Sequence, residues 1–184
     1  MSQADLGVVE ELVGNAHGNI DRVRELLDEH PDALNLRAPW NETAVEAATQ
    51  MANKPIIELL ISRGAPVDFF TACVLGRVEQ VAAELAHDPN RANARGVHEL
   101  PALYFAAIGA NLAIAELMLA SGADVNTRAQ AAAPIHGAVM GGGAEMIRLL
   151  LEKGADPSAP DFEGSSARQL AEKMGRPELA GLFG

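Results

Sequence analysis

A short segment that begins with glycine recurs along this chain. GADVN at 122–126 and GADPS at 154–158 start at residues 122 and 154, which are 32 residues apart. A third copy, GAPVD at 64–68, starts 58 residues before residue 122, close to two such intervals. Self-similarity at a fixed interval of roughly 20–50 residues is typical of proteins that stack one supersecondary unit many times. This recurrence constrains the fold more than any other feature of the sequence.

Each copy follows a stretch with apolar residues at helical spacing. These stretches are IIELLI at 56–61, IAELML at 114–119 and MIRLLL at 146–151. The glycine that follows suits a helix end in the left-handed conformation. After the glycine, a polar extended segment leads to an Ala-rich helix, which starts the next unit, and one unit takes about 33 residues. The sequence therefore predicts a series of helix pairs, in which a short Ala-rich first helix is followed by a longer second helix that ends at the glycine.

Three motifs resemble those of the ankyrin-repeat family. APIHGA at 133–138 is similar to its T-P-L-H-x-A signature, GADVN at 122–126 matches its closing signature, and DFEGSSA at 161–167 resembles its D-x-x-G-x-T-P turn. The resemblance implies an all-α solenoid, an ankyrin stack of about six helix-turn-helix units with short β-hairpin loops. It implies a single domain over residues 1–184, with repeats at approximately 6–36, 37–67, 68–95, 96–127, 128–159 and 160–184.

The starts of the first helices vary between repeats. The signature histidine is present once, as His136, and the resemblance implies that it ties its helix start to the neighbouring repeat. Elsewhere, Thr43-x-x-Glu46 and Ser166-x-x-Gln169 have the pattern of a capping box, which satisfies free N–H groups at a helix start. We predict that these two boxes replace the histidine in their repeats.

The chain is acidic, with 25 acidic and 14 basic residues and a formal net charge of −11. Such a charge repels nucleic acid and anionic membranes and attracts basic partners, although it can also serve solubility alone. The single cysteine, Cys73, excludes an intrachain disulfide. No apolar run of roughly 18 residues is present, and the N-terminus lacks the pattern of a secretory signal. We therefore expect a cytoplasmic monomer whose partner is another protein.

The resemblance also implies where a partner binds, because hairpin tips and first-helix ends line a concave groove in this family. Transferred residue by residue, the candidate binding residues are Trp40, Asn41, Glu42, Met51, His98, Glu99, Tyr104, Ile108, Gln130, Met140 and Phe162. Aromatic residues are frequent binding hot spots, and methionines adapt to varied apolar surfaces. We predict a groove for a partner of apolar and basic character. The alternative is that Met51, Ile108 and Met140 are buried between repeats.

Two further features have alternative interpretations. Three arginines, Arg37, Arg95 and Arg128, each stand two residues after an asparagine. They form either a ladder for a carboxylate-bearing partner or internal pairs with neighbouring acids. Gly137 lies inside a helix, where glycine costs about 1 kcal/mol relative to alanine. It indicates either that a large ring fills the space of the missing side chain, or that a pocket lies beside Tyr104.

These observations favour a non-catalytic protein-binding module without a cofactor or metal, since no Cys/His cluster has metal-ligand spacing. The sequence does not decide whether the chain is an enzyme. One alternative is a small-molecule enzyme or ligand-binding protein with an acid–base site around His98, Glu99 and Tyr104. A second alternative is a scaffold that self-assembles through the repeat ends.

Overall fold

The computed structural model describes residues 3–129 and 132–184, and within these ranges it contains α-helices and no β-strand. The helices are α1 (Gln3–Asn15), α2 (Ile20–Glu29), α3 (Ala44–Gln50), α4 (Lys54–Ser62), α5 (Phe69–Leu75), α6 (Val78–His87), α7 (Ala102–Ile108), α8 (Leu112–Ala120), α9 (Pro134–Gly141), α10 (Ala144–Glu152), α11 (Ala167–Lys173) and α12 (Pro177–Ala180). They form six consecutive pairs. The prediction of an all-α series of helix pairs is therefore confirmed.

The chain forms two compact units, up to residue 71 and from residue 72 onward, and the division lies inside α5. In the first unit, α1 contacts α2 and α3, and α2 contacts α4. In the second unit, α7 contacts α9, α9 contacts α11, and α6 contacts α8. First helices thus pack on first helices, and second helices on second helices. The prediction of one domain over residues 1–184 stays a prediction.

Both predicted capping boxes are present. The Thr43 hydroxyl accepts from the Glu46 N–H at 3.3 Å, and the Thr43 N–H donates to the Glu46 carboxylate at 2.8 Å. The Gln169 N–H donates to the Ser166 hydroxyl at 3.3 Å, and the Ser166 N–H donates to the Gln169 amide oxygen at 2.9 Å. Two free donors at each helix start are therefore satisfied by residues three positions apart.

His136 is buried at the start of α9 and forms two hydrogen bonds. Its Nδ1 accepts from the Ala133 N–H at 3.0 Å, and its Nε2 lies 3.0 Å from the Ala159 carbonyl oxygen. A backbone N–H only donates and a carbonyl only accepts, so the ring is neutral with its proton on Nε2. Ala159 is the last residue of the predicted repeat 128–159, so His136 ties its helix start to the end of its own repeat, whereas the prediction was a tie to the neighbouring repeat.

Burial gives His136 a pH-dependent effect on stability. Desolvation of the ring lowers its pKa below the usual value, whereas the unfolded chain takes up this proton near pH 6.5. Below about pH 6.5 the unfolded state therefore binds more protons than the folded state, and the free energy of unfolding falls by up to about 1.4 kcal/mol per pH unit. Urea denaturation of wild type and His136→Gln at pH 7.5, 6.5 and 5.5 measures this slope. Equal losses in both proteins would contradict the assignment to His136.

Glycines allow the first helices of the second unit to approach closely. A Cβ at Gly137 would lie 2.9 Å from both the carbonyl oxygen and a ring carbon of Tyr104. At Gly141, a Cβ would overlap the carbonyl group of Ile108. The ring of Tyr104 thus fills the space beside Gly137. The interpretation of Gly137 as compensation for a large ring is confirmed, and the pocket interpretation is wrong.

Asparagine side chains join successive loops in the second unit. The Asn93 amide donates to the Gly122 carbonyl at 2.8 Å and accepts from the Asp124 N–H at 2.9 Å. The Asn126 amide makes the same two bonds one repeat later, to the Gly154 carbonyl at 2.9 Å and from the Asp156 N–H at 2.8 Å. Each asparagine thus joins its own loop to the glycine segment of the next repeat through the same pair of hydrogen bonds.

Candidate functional site

The N-cap residue of each first helix sets a common register for the loops before it. Thr43, Pro101, Ala133 and Ser166 hold this position in four repeats. Counting back three residues places Trp40, His98 and Glu163 at equivalent points of three of these loops. Counting forward seven places Gln50, Ile108, Met140 and Lys173 at equivalent points of the first helices.

Three of the loops before the first helices, those that precede α3, α7 and α11, share one backbone turn. The Ala38 N–H donates to the Glu42 carbonyl, the Gly96 N–H to the Leu100 carbonyl, and the Asp161 N–H to the Ser165 carbonyl, at 2.8–2.9 Å. The residue just before each carbonyl acceptor has a positive φ, which is 64° for Asn41, 59° for Glu99 and 80° for Gly164. A left-handed residue at this point suits asparagine and glycine and turns the chain back toward the helix.

Side chains in the first unit fix the indole of Trp40. Trp40 is 46% exposed, and its Nε1–H donates to the carboxylate of Glu42 at 2.7 Å. Glu42 is buried and also accepts from the Gln50 amide at 2.7 Å. Gln50 stands at the end of α3, so the carboxylate joins the loop to the helix. This anchoring holds an exposed aromatic ring in one orientation.

His17 extends this chain of hydrogen bonds to α1. Its Nδ1 lies 3.1 Å from the Gly14 carbonyl, which makes Nδ1 a donor. Its Nε2 then accepts from the Gln50 amide at 2.8 Å. Glu42 was predicted to lie on the exposed tip, and this placement is wrong, because its carboxylate turns inward to Gln50 and Trp40. Asn41 is exposed as predicted.

Phe162 is the most exposed large apolar side chain of the described residues, at 73%. It follows Asp161, whose carboxylate accepts from the Glu163 N–H at 2.9 Å and the Ser165 N–H at 2.8 Å. The Lys173 ammonium at the end of α11 donates to Glu163 at 2.8 Å and to the Ser165 hydroxyl at 2.6 Å. Hydrogen bonds therefore hold the residues on either side of Phe162 in the sequence, at Asp161 and at Glu163.

The predicted binding residues on the first helices divide into two groups. Ile108 and Tyr104 are each only 4% exposed. The alternative prediction of burial holds for Ile108, and the prediction that these two side chains are available to a partner is wrong, because α7 lies against α9. Met140 is half-buried, and Met51 is 43% exposed. Met51 aligns with Gly109 and Gly141, one position after the Ile108 and Met140 register.

The candidate acid–base residues have unlike surroundings. His98 and Glu99 are exposed on their loop, whereas Tyr104 is buried and its hydroxyl donates to the Met140 sulfur at 3.5 Å. Burial raises the pKa of the Tyr104 hydroxyl well above its usual value, which disfavours a tyrosinate. Within residues 3–129 and 132–184, no group of three or more His, Cys, Asp or Glu side chains is arranged to hold a metal ion.

The recurring arginines bond to carbonyl groups. Arg37 donates to the Asn41 carbonyl at 2.7 Å and pairs with Glu46 at 2.8 Å. Arg95 donates to the carbonyls of Glu99 and Arg128 at 3.0 and 3.1 Å, and Arg128 donates to the Pro160 carbonyl at 3.0 Å. These contacts favour the interpretation that the arginines hold neighbouring loops together. Gln130, a further predicted binding residue, lies outside the described residues.

The sequence predicts Gln50 and Met174 at exposed first-helix ends but leaves both out of the candidate binding residues, and it misses His17. Gln50 and His17 orient Trp40, and Met174 is 39% exposed at the position that Met51 holds in its own repeat. Alignment of the repeats pairs Met51 with Met174 and Gln50 with Lys173, and the N-cap residues Thr43 and Ser166 give the same register. Alignment could not have found His17, whose contact with Gln50 spans 33 residues.

Within the described residues, no helix has the length and apolar character that crossing a bilayer requires.

Comparison with known proteins agrees with this architecture. Residues 69–161, about half of the chain, match a family model described as ankyrin repeats in three copies. A BCL-6 corepressor-like protein 1 of Homo sapiens is 34% identical over 127 residues, which are 68% of this chain and 7% of that protein. The potassium channel AKT1 of Arabidopsis thaliana is 37% identical over 68 residues, 37% of this chain and 8% of that protein. Zygote-specific protein 3 of Chlamydomonas reinhardtii is 46% identical over 50 residues, 27% of this chain and 13% of that protein.

The matched segments are thus small parts of these three relatives, at most 13% of their length. The family match covers the loops and helix pairs whose glycine segments, histidine contact and asparagine bonds are described above. On both grounds, this chain belongs to the ankyrin-repeat family.

Proposed function

We propose that this chain is a non-catalytic protein-binding module that contacts its partner through the exposed aromatic residues of its loops and the exposed ends of its first helices. Ankyrin repeats generally mediate protein–protein interaction. The finer proposal is that Phe162 and Met174 in the second unit, and Trp40 and Met51 in the first unit, make the apolar contacts. The net charge of −11 favours a partner with basic character.

One observation carries the proposal, the display of Phe162 on a braced loop. A single exposed apolar side chain is common on a protein surface, but aromatic rings are over-represented among binding hot spots, and Phe162 is 73% exposed on a segment whose backbone is hydrogen-bonded. Since Asp161 and Lys173 already order the loop, binding through this ring loses little further conformational entropy. The same argument applies to Trp40, whose indole is oriented by Glu42.

Phe162→Ala is expected to abolish capture of the partner while leaving stability unchanged. An aromatic hot spot contributes about 2 kcal/mol or more, which is roughly a 30-fold change in Kd, whereas an exposed substitution changes stability by about 0.5 kcal/mol or less. The measurement is affinity capture from a lysate of the cells that make this protein, with mass spectrometry of the retained proteins and circular dichroism of both variants.

Phe162→Tyr is the matched control, because it keeps the ring and is expected to retain the partner. Trp40 is the only tryptophan, so its emission reports on the first unit alone. Addition of the captured protein is expected to shift this emission. Retention of the same proteins by Phe162→Ala would overturn the proposal for this loop.

A further inference from the structure

The second helix α8 has a more apolar outer face than its counterpart one repeat later. Its sequence, LAIAELMLA, contains one charged residue, Glu116. Ile114, Ala115 and Met118 are buried on its inner side. A helix that is apolar on all sides is normally buried on all sides, yet three positions of α8 are exposed, occupied by Ala113, Glu116 and Ala120.

In α10 the exposed positions 32 residues later hold Glu145, Arg148 and Glu152. Two alanines of α8 thus stand where α10 has two charged side chains. The difference does not serve packing within this unit, since all six positions are exposed. It makes the outer surface of α8 suitable for contact with an apolar group.

A groove lies beside this face of α8 and has a volume of about 750 Å³. The residues that line it come from α8, α10 and the segments that follow each helix, and they are Glu116, Leu119, Ala120, Ala123, Asp124, Val125, Leu149, Glu152 and Lys153. Leu119, Val125 and Leu149 are half-buried, so part of each apolar side chain remains in contact with water.

The polar residues of the groove are mostly acidic. Glu116, Asp124 and Glu152 stand against one cation, Lys153. Asp124 accepts from the Asn126 N–H, whereas Glu116 and Glu152 form no ion pair with any described residue. The groove therefore combines apolar surface with carboxylates that are available to external cations.

We infer that this groove binds a basic amphipathic segment of a partner protein, with leucine-like side chains against Leu119, Val125 and Leu149 and lysine or arginine beside Glu116 and Glu152. A second copy of this chain fits poorly, because its net charge of −11 would be repelled by the same carboxylates. The inference goes beyond the proposed function, since none of the groove residues is among the apolar contacts proposed there, which are Trp40, Met51, Phe162 and Met174.

The test uses a fluorescein-labelled peptide of about 14 residues made of leucine and lysine, with leucines at i, i+3, i+4 and i+7 so that one face is apolar. Fluorescence anisotropy measures its Kd for the full chain. Glu116→Arg is expected to raise Kd about fivefold, as loss of a surface charge pair implies. A peptide with serine in place of every leucine is expected to bind at least about tenfold more weakly.

Glu58→Arg is the matched control, because Glu58 holds the same position in α4, is exposed, and changes the net charge equally. It is expected to change Kd less than about twofold. Equal effects of the two substitutions, no effect of Glu116→Arg, or no binding to wild type at about 1 mM peptide would each overturn the inference. Phe162→Ala is expected to leave peptide binding unchanged, so failure here and failure of the proposed function are separate outcomes.

Discussion

Gly141→Ala is expected to lower the free energy of unfolding by about 2–3 kcal/mol, the range seen when a well-packed contact is overfilled. The added methyl group would overlap the Ile108 carbonyl. This neighbour is backbone at the end of α7 and cannot move aside by changing a rotamer. The small gain from replacing glycine in a helix, about 1 kcal/mol at most, does not offset this overlap. Urea denaturation followed by circular dichroism measures the difference.

Gly14→Ala is the matched control for this substitution. Gly14 is also helical and exposed, and a Cβ placed there meets no atom within 4 Å. Alanine at this position is therefore expected to raise the free energy of unfolding by about 0.5–1 kcal/mol. If both substitutions raise the free energy of unfolding, the result would contradict the close contact between Gly141 of α9 and the Ile108 backbone of α7.

His136→Leu is expected to lower the free energy of unfolding by about 3 kcal/mol at pH 7.5. The substitution keeps an apolar body but leaves the Ala133 N–H and the Ala159 carbonyl without the partners they have in the wild type. Each buried polar group left unsatisfied costs about 1–3 kcal/mol. The measurement is again urea denaturation, performed where the histidine is neutral in both folded and unfolded states.

His136→Gln separates hydrogen bonding from ring packing. Gln169 already accepts from the N-cap N–H of its own repeat at 2.9 Å, so glutamine at 136 is expected to keep that bond and cost about 1 kcal/mol. A loss for leucine no larger than for glutamine would mean that the bonds of His136 contribute little to stability.

Several features of the fold could be predicted from the sequence because they depend on short separations along the chain. The Thr43–Glu46 and Ser166–Gln169 boxes span three residues, and a helix start determines them locally. The glycine segments recur because each repeat ends its second helix in the same way. The inward turn of Glu42 was not predictable in this manner, since a charged residue beside a loop tip is normally solvated.

The sequence alone determined the repeat interval, the helix pairs and the two capping boxes, because hydrogen bonds and apolar spacing within one repeat specify them. Tertiary structure decided which candidate binding residues reach solvent. Ile108 and Tyr104 are buried because α9 lies against α7, and Glu42 is buried because Gln50 and Trp40 hold its carboxylate. The burial of Ile108 and Tyr104 depends on what the next repeat places opposite them, and that of Glu42 depends on how its loop folds onto its own helix. A pattern of residue types along the chain contains neither kind of information.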